Sequence, residues 1–390
     1  MDNAFRRECR TWLEANAAPR ATTSISGVLS ILGREVDSEA GLAAARAFQA
    51  KAAADGWAAI QWPIEYGGRG ASLMEQVIWG QESAAFDVPT TLFSIGISMG
   101  GPTVIEHGTD EQKRRWLPSL RAGEEIWCQL FSEPGAGSDL ASLRTSAVRD
   151  GAEWVVNGQK VWSSGAHYSQ WGMLLARTDR AAPKHRGITY FLLDMRTPGI
   201  DIRPLRQMTG AAHFNEVYFD DVRIPDRDRI GDVNDGWRIA QTTLLNERAS
   251  IADMLGESEV VQALTRLARA AGADGRPSVG DAGVRQTIAD AFIESEIVRY
   301  IGHRIVTAIV QGRLPGAEAS IAKLAIARQM KRAAEAGMRV GGPATVAEPN
   351  AWWDLLLAAP ALRIAGGSDE IQRNIIGERV LGLPKEPPAP

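Results

Sequence analysis

Three groups of residues in this 390-residue chain have types and spacings that suit chemistry. The first is Ser132-Glu133-Pro134-Gly135-Ala136-Gly137-Ser138-Asp139, which packs two glycines, two hydroxyls and two acids into eight residues after an apolar run. Glycines let a backbone approach a ligand closely, and exposed N–H groups with serine hydroxyls bind a heteroaromatic edge or phosphate oxygens. On composition alone a Gly-rich turn between strands is the simpler reading. The second is Asn157-Gly158-Gln159-Lys160-Val161-Trp162-Ser163-Ser164-Gly165, a tight turn followed by a tryptophan and paired hydroxyls. Taken alone, Trp162 reads as a core aromatic. The third is Glu247. Trp237, Ala240, Leu244, Ile251 and Met254 recur at helical spacing, and Glu247 fills the missing place on that inward stripe. A carboxyl there is partly desolvated, which raises its pKa into the range useful for a general base. Pairing with an arginine inside a helical domain accounts for it equally well.

Other chemistries are excluded by what is missing. His107, His167, His185, His213 and His303 show no H-x-x-x-H or Cys/His spacing, so no metal site is expected. No Walker A loop, Gly-x-Ser-x-Gly elbow or strand-borne G-x-G-x-x-G occurs. The formal net charge of -4 carries no basic excess for nucleic acid, and Lys113-Arg114-Arg115 and Lys331-Arg332 read as solvated helix faces. Cys9 and Cys128 are too few for a disulfide framework and point to a reducing, cytoplasmic setting. The first twenty residues read as a surface helix with Phe5, Cys9, Trp12 and Leu13 on one side, not as a secretory signal, and no apolar run is long enough to span a membrane.

The elements that must position these residues fall into three zones. Residues 1–122 read as an N-terminal helical domain, with an Ala-rich stretch at 41–59 and breaks at Pro63, Gly67–Gly70 and Gly100–Pro102. Residues 123–232 change to short β-branched and aromatic runs, Trp127–Phe131, Trp154–Val156, Trp171–Ala176, Ile188–Leu193 and Glu216–Phe219, separated by Asp150-Gly151, Asn157-Gly158 and Pro198-Gly199; this predicts a small antiparallel β domain. Residues 233–384 return to helical periodicity, with long segments at 237–255, 281–311, 317–339 and 368–381, before a Pro-rich tail at 385–390. Helices, then strands, then helices make an α+β arrangement more natural than a doubly wound sheet.

Together, the 132–139 and 157–165 segments resemble the middle domain of the acyl-CoA dehydrogenases. The likeness extends to Trp57–Gly70, Arg186–Leu193 and Ile371–Leu383, in the same order along the chain. It implies an acyl-CoA dehydrogenase-like fold and FAD-dependent α,β-dehydrogenation of an acyl-CoA thioester, in lipid metabolism. It also implies electron-transfer flavoprotein as electron acceptor, and a homodimer, homotetramer or heterotetramer with a paralogous subunit. By position, Gln129, Phe131, Ser132, Gly137, Ser138, Trp162, Ser163 and Ser164 hold the flavin, joined by Gly341, Gly342, Ser368 and Glu370; Trp162 lies along the ring system and the serine groups face its N5 edge. Ser138, Arg248 and Gly366 face the substrate.

The resemblance also assigns the base. Many relatives carry the glutamate just before the Gly-Thr or Gly-Ser that leads into the final helix, where this chain has Gly366 ahead of Gly367-Ser368. A smaller group places it on an earlier helix directly before an arginine, which Asn246-Glu247-Arg248 matches. Glu247 is therefore the expected catalytic base, with Asp369 and Glu370 as rivals. Two departures affect the cofactor's pyrophosphate and adenine end: Ala271 stands near a usual arginine position, with Arg276 or Arg285 as substitutes, and Met338 stands where a glutamine precedes the Gly341-Gly342 pair. A flavin monooxygenase or oxidase on the same fold, or a subunit that completes the FAD site of a paralogous partner, are the alternatives.

Overall fold

The computed structural model describes residues 3–20, 38–89, 91–250, 259–270, 277–311 and 318–385. Contacts sort the chain into two compact units, one formed by residues 1–32, 72–88 and 248–390, the other by 33–71 and 89–247.

In the first unit, strand β1 (Ala18–Pro19) pairs with β2 (Phe86–Asp87) and the rest of its regular structure is helical among the described residues. Helix Asn3–Asn16 buries Cys9 and Leu13 and is fastened through Arg6 and Arg10 to the buried carboxylate of Glu82 on helix Leu73–Ser83. That second helix starts at a reciprocal cap in which Ser72 and Glu75 satisfy each other's amides. Helices Glu259–Arg269, Ala282–Val310, Glu318–Gly341 and Ala351–Leu362 share a core of Val260, Leu264, Ala334, Val340 and Leu355. The bounds 282–310 and 318–341 follow the sequence periodicity. The Ala351–Leu362 helix has none to show, because AWWDLLLAAPAL is apolar on nearly every side.

The second unit holds the sheet. Strands β3 (Trp127–Leu130), β4 (Ser146–Asp150), β5 (Glu153–Ser164), β6 (Trp171–Arg177), β7 (Ile188–Asp194), β8 (Ile200–Leu205), β9 (Phe214–Pro225) and β10 (Arg229–Ile230) run in the spatial order β10-β7-β6-β4-β5-β9-β8, with β3 beside β6. The neighbours are antiparallel except that β3 and β4 each meet β6 in parallel. All seven residues of β6 are buried, because both faces of the sheet are covered. Trp171, Met173 and Leu175 pack with Trp116, Leu117, Ile239 and Ala240 of the flanking helices. On the opposite side, Leu174 and Ala176 meet Phe191, Val217, Val222 and Ile224. A strand covered on both faces loses the apolar-polar alternation of a half-exposed one, which is why WGMLLAR reads as a continuous apolar run. Burial of each large side chain in these layers contributes about 1.5–3 kcal/mol.

Helix Gly236–Ser250 lies on the first of these faces, with Ile239 and Ala240 fully buried and Trp237 and Leu244 packed at the margin. Its first residue has no room for a side chain: a Cβ on Gly236 would stand 2.6 Å from the Thr189 carbonyl carbon and 2.7 Å from the Tyr190 nitrogen. Backbone does not yield as a flexible side chain does, so Gly236→Ala must push the helix off β7. We expect this variant to lose about 1–3 kcal/mol in urea unfolding, as overpacked sites do; an unchanged midpoint and slope would show that the helix is not seated on the sheet in this way.

Candidate functional site

The strand β3 projects Trp127, Gln129 and Phe131 toward the face covered by helix Gly236–Ser250. Among them Gln129 is half-buried, and its Nε2 donor is buried with no hydrogen-bond partner. The chain then turns at Glu133 and Ala136, whose backbones bond each other at 3.1 and 3.0 Å. Gly137 and Ser138 are exposed. A Cβ on Gly135 or Gly137 would meet nothing within 4 Å, and neither has a left-handed φ, so the fold itself gives no reason for glycine at either place.

Five bonds tie this loop to β5 and close its base. The Val161 N–H donates to the Ser132 carbonyl at 2.9 Å. Lys160, with no exposed surface, donates from Nζ to the Phe131 carbonyl at 2.9 Å and to Glu133 Oε1 at 2.8 Å. The same carboxylate accepts the amides of Arg144 at 2.6 Å and Thr145 at 2.8 Å. Burial pushes the Lys160 ammonium down to about 8, against the pull of Glu133. Burial alone would raise the Glu133 carboxyl, but Lys160, Thr145 and the Arg144 amide overcome it and hold it below the usual carboxylate range. Both groups are therefore charged at neutral pH. Farther along, the Arg177 guanidinium donates to the carbonyls of Ala141 at 2.5 Å and Lys184 at 2.8 Å.

Pairing of β5 with β9 slips between Lys160 and Ser163, and at the slip Trp162 takes a left-handed φ of 61°. A non-glycine residue in that region costs about 1–3 kcal/mol and persists only where the surroundings enforce it. The consequence is that Trp162 points outward with 60% of its surface exposed, resting edge-on against Phe214 with ring centroids 6.0 Å apart. It is not the core aromatic that its type alone suggests. Ser163, the next residue, is fully buried, and its hydroxyl has no partner; Ser164 is half-buried. Buried Asn215 holds this corner by donating to the Ser163 carbonyl at 3.0 Å and to the His213 carbonyl at 3.3 Å.

On helix Gly236–Ser250, Thr243 is buried and shares a hydroxyl cluster with Thr103 at 2.8 Å and Tyr190 at 3.3 Å. Glu247 lies one turn beyond Thr243, in line with Ala240 and Leu244, and is half-buried. Ile251 and Met254, which continued the stripe in sequence, lie outside the described residues, as does the side chain of Arg248. The second unit thus gathers Gln129, Phe131, Ser132, Gly137, Ser138, Trp162, Ser163, Ser164 and Glu247.

The remaining expected residues belong to the first unit. Gly341 ends its helix where a Cβ would collide with Thr345, and Gly342 has a φ of 59° with open space around it. The Met338 carbonyl accepts the Gly342 amide at 3.1 Å. Gly366 is exposed with a φ of 63°. Ser368 caps helix Asp369–Ile375. Asp369 is buried between Arg363 Nε at 2.7 Å and Lys323 Nζ at 3.3 Å, and exposed Glu370 pairs with Arg373 at 3.2 Å. Burial would raise the Asp369 carboxyl, yet these two cations hold it below its ordinary value; amide and Ser368 hydrogen bonds do the same for Glu370. A carboxylate so stabilised is a weak base. Ala271 and Arg276 lie outside the described residues, whereas Arg285 sits in helix Ala282–Val310. Among the described residues no cluster of three or more His, Cys, Asp or Glu forms a metal site, and no helix is long and apolar enough to cross a membrane.

The chain matches the family descriptions "Acyl-CoA dehydrogenase, N-terminal domain" over residues 2–124, "middle domain" over 128–222 and "C-terminal domain" over 234–381. Acyl-CoA dehydrogenase IpdE1 of Mycobacterium tuberculosis is 39% identical over 98% of this chain and 98% of its own length. Acyl-CoA dehydrogenase FadE34 of the same organism is 45% identical over 85% of this chain, which spans only 45% of that longer protein. Among solved structures, the ChsE4-ChsE5 complex of Mycobacterium tuberculosis aligns with a TM-score of 0.78 at 31% identity, covering 98% of this chain and 97% of that one. The structure of the "Tcur3481-Tcur3483 steroid ACAD" aligns with a TM-score of 0.82 at 27% identity, covering 98% and 97%.

The Asp369 pairing sets a pH signature. A carboxyl whose folded pKa is depressed contributes stability above the ordinary aspartate value and loses it as pH falls through the folded one. Asp369→Asn should cost about 3 kcal/mol at pH 7, because it leaves Lys323 buried without its partner. The gap between variant and parent should close below roughly pH 4. A gap that stays constant down to pH 3 in thermal unfolding would rule out this structural role.

Proposed function

Because the chain belongs to the acyl-CoA dehydrogenase family, we propose that it removes an α proton through Glu247 from an acyl-CoA thioester while the β hydrogen leaves to FAD. The fit of the second unit to a flavin supports this reading. Gln129 Nε2 and Ser163 Oγ are buried without partners, which is costly unless a ligand or water satisfies them. Gly135 and Gly137 leave their surroundings open, and Trp162 is held outward against backbone preference. Gln129, Ser132, Gly137, Ser138, Ser163 and Ser164 would hold the cofactor, with Trp162 as the surface for its rings. Bound FAD supplies the acceptor for the hydride leaving Cβ.

The observation that carries the base assignment is the position of Glu247 one turn beyond the buried Thr243, on the helix face that lies against the sheet. There the carboxylate is half-buried, in a place where a general base can receive a proton. Asp369 and Glu370, already stabilised as anions, are poorly suited to the task. Arg248, adjacent in sequence, would take the thioester or CoA end. By its motif position Gly366, which has no side chain, would face the substrate. The similarity to the "Tcur3481-Tcur3483 steroid ACAD" puts ring-bearing acyl groups first among substrates to try.

A second reading concerns assembly. Met338 in place of a glutamine, and the similarity to ChsE4-ChsE5, a complex named for two different chains, favour a paralogous partner that supplies part of the FAD site. Purified alone, the chain would then be colourless and would gain flavin only with that partner.

The protein loaded with flavin should be yellow and should bleach anaerobically on adding a suitable acyl-CoA. Glu247→Gln should retain the flavin and slow bleaching by about 10²–10⁴-fold, the range a lost general base costs. Bleaching at the parental rate would remove Glu247 from the role, and failure of every thioester in a broad panel would count against the reaction itself.

A further inference from the structure

Lys160 and Glu133 form a buried charged pair that the reaction as proposed does not use. Their hydrogen bonds are directed at backbone or internal to the pair: Lys160 Nζ holds the Phe131 carbonyl at 2.9 Å and Glu133 Oε1 at 2.8 Å, and the carboxylate holds the amides of Arg144 and Thr145 at 2.6 and 2.8 Å. With the Val161 amide on the Ser132 carbonyl at 2.9 Å, two adjacent residues of β5 grip residues 131–133. The loop carrying Gly135 and Gly137 departs from Glu133 and returns, twelve residues later, to the same carboxylate. Trp162 follows the gripping residues directly.

A buried ion pair is seldom the best route to stability, since apolar side chains of similar volume serve as well or better. Its directional bonds, by contrast, fix where a backbone lies. We propose that Glu133 and Lys160 are positioning residues for the flavin: their pair sets the 131–145 backbone against the strand bearing Trp162, and thereby shapes the surface that receives the ring system. This rests on the reading that the chain binds FAD. Neither residue is a catalytic one, because Lys160 has no exposed surface and Glu133 only 8%.

The test compares the parent with Glu133→Gln and with Glu133→Gln/Lys160→Met, using the full chain and any partner needed for flavin uptake. Three quantities are read: the FAD dissociation constant from quenching of flavin fluorescence, the visible spectrum of bound flavin, and the unfolding midpoint of the apoprotein. The double variant should unfold close to the parent, because both charges are gone, yet bind FAD at least about tenfold more weakly, with its visible bands displaced. A purely structural pair would move the midpoint and leave the spectrum alone. If the double variant does not fold, Glu133→Gln decides by the same measurements, since its one amide oxygen can still accept from the Thr145 amide and from Lys160, which share a single carboxylate oxygen in the parent. Parental affinity and an unchanged spectrum in the folded variant overturn the inference while leaving the cofactor reading intact. A parent that takes up no FAD under any of these conditions overturns both.

Discussion

The seating of helix Gly236–Ser250 on the sheet is the contact from which the proposed chemistry takes its geometry. Ile239 and Ala240 are removed from water against Trp171, Met173 and Leu175, and Gly236 brings the helix start within touching distance of β7. Thr243 then anchors the middle of the helix by its hydroxyl cluster. Those contacts fix the rotation of the helix, and rotation alone decides whether Glu247 faces the sheet side or the solvent. Since interiors are close-packed, a helix held at three successive turns has little freedom to re-register.

A second constraint acts on the other side of the site. The 131–145 loop is anchored in the core by Phe131, Ala136 and Leu143, and directional bonds add to that anchoring by fixing its backbone. Glu133, Lys160 and Arg177 supply them, each engaging backbone groups on a different part of the loop. The strained backbone at Trp162 belongs to the same arrangement, since the slip in β5–β9 pairing both buries Ser163 and turns the indole outward. Strain, unpartnered buried polar atoms and glycines without a packing reason coincide in one stretch of the fold. Such local departures from stable packing are characteristic of ligand sites.

Much of this was legible in the sequence where a local period carries the signal. The apolar runs of β6 and β7, the 282–310 and 318–341 helices and the inward line of Ala240 and Leu244 all follow from spacing. Strands β4 and β8 were not legible, because SAVRD and IDIRPL are half polar and sit toward solvent. The burial of Lys160 was hidden for a different reason. A lysine in a strand reads as exposed, and its partner Glu133 is 27 residues away, joined only once β5 has paired. The outward turn of Trp162 is likewise invisible to a period of two, which the bulge interrupts at that residue.

The central claim is that Glu247 takes the α proton. It is tested most directly by incubating the anaerobic protein with a bound acyl thioester in D2O and following deuterium entry at Cα by mass spectrometry. The account predicts exchange with the parent protein and its loss in Glu247→Gln of unchanged flavin content. Exchange at the parental rate in that variant would contradict it and return the search for the base to the rest of the site.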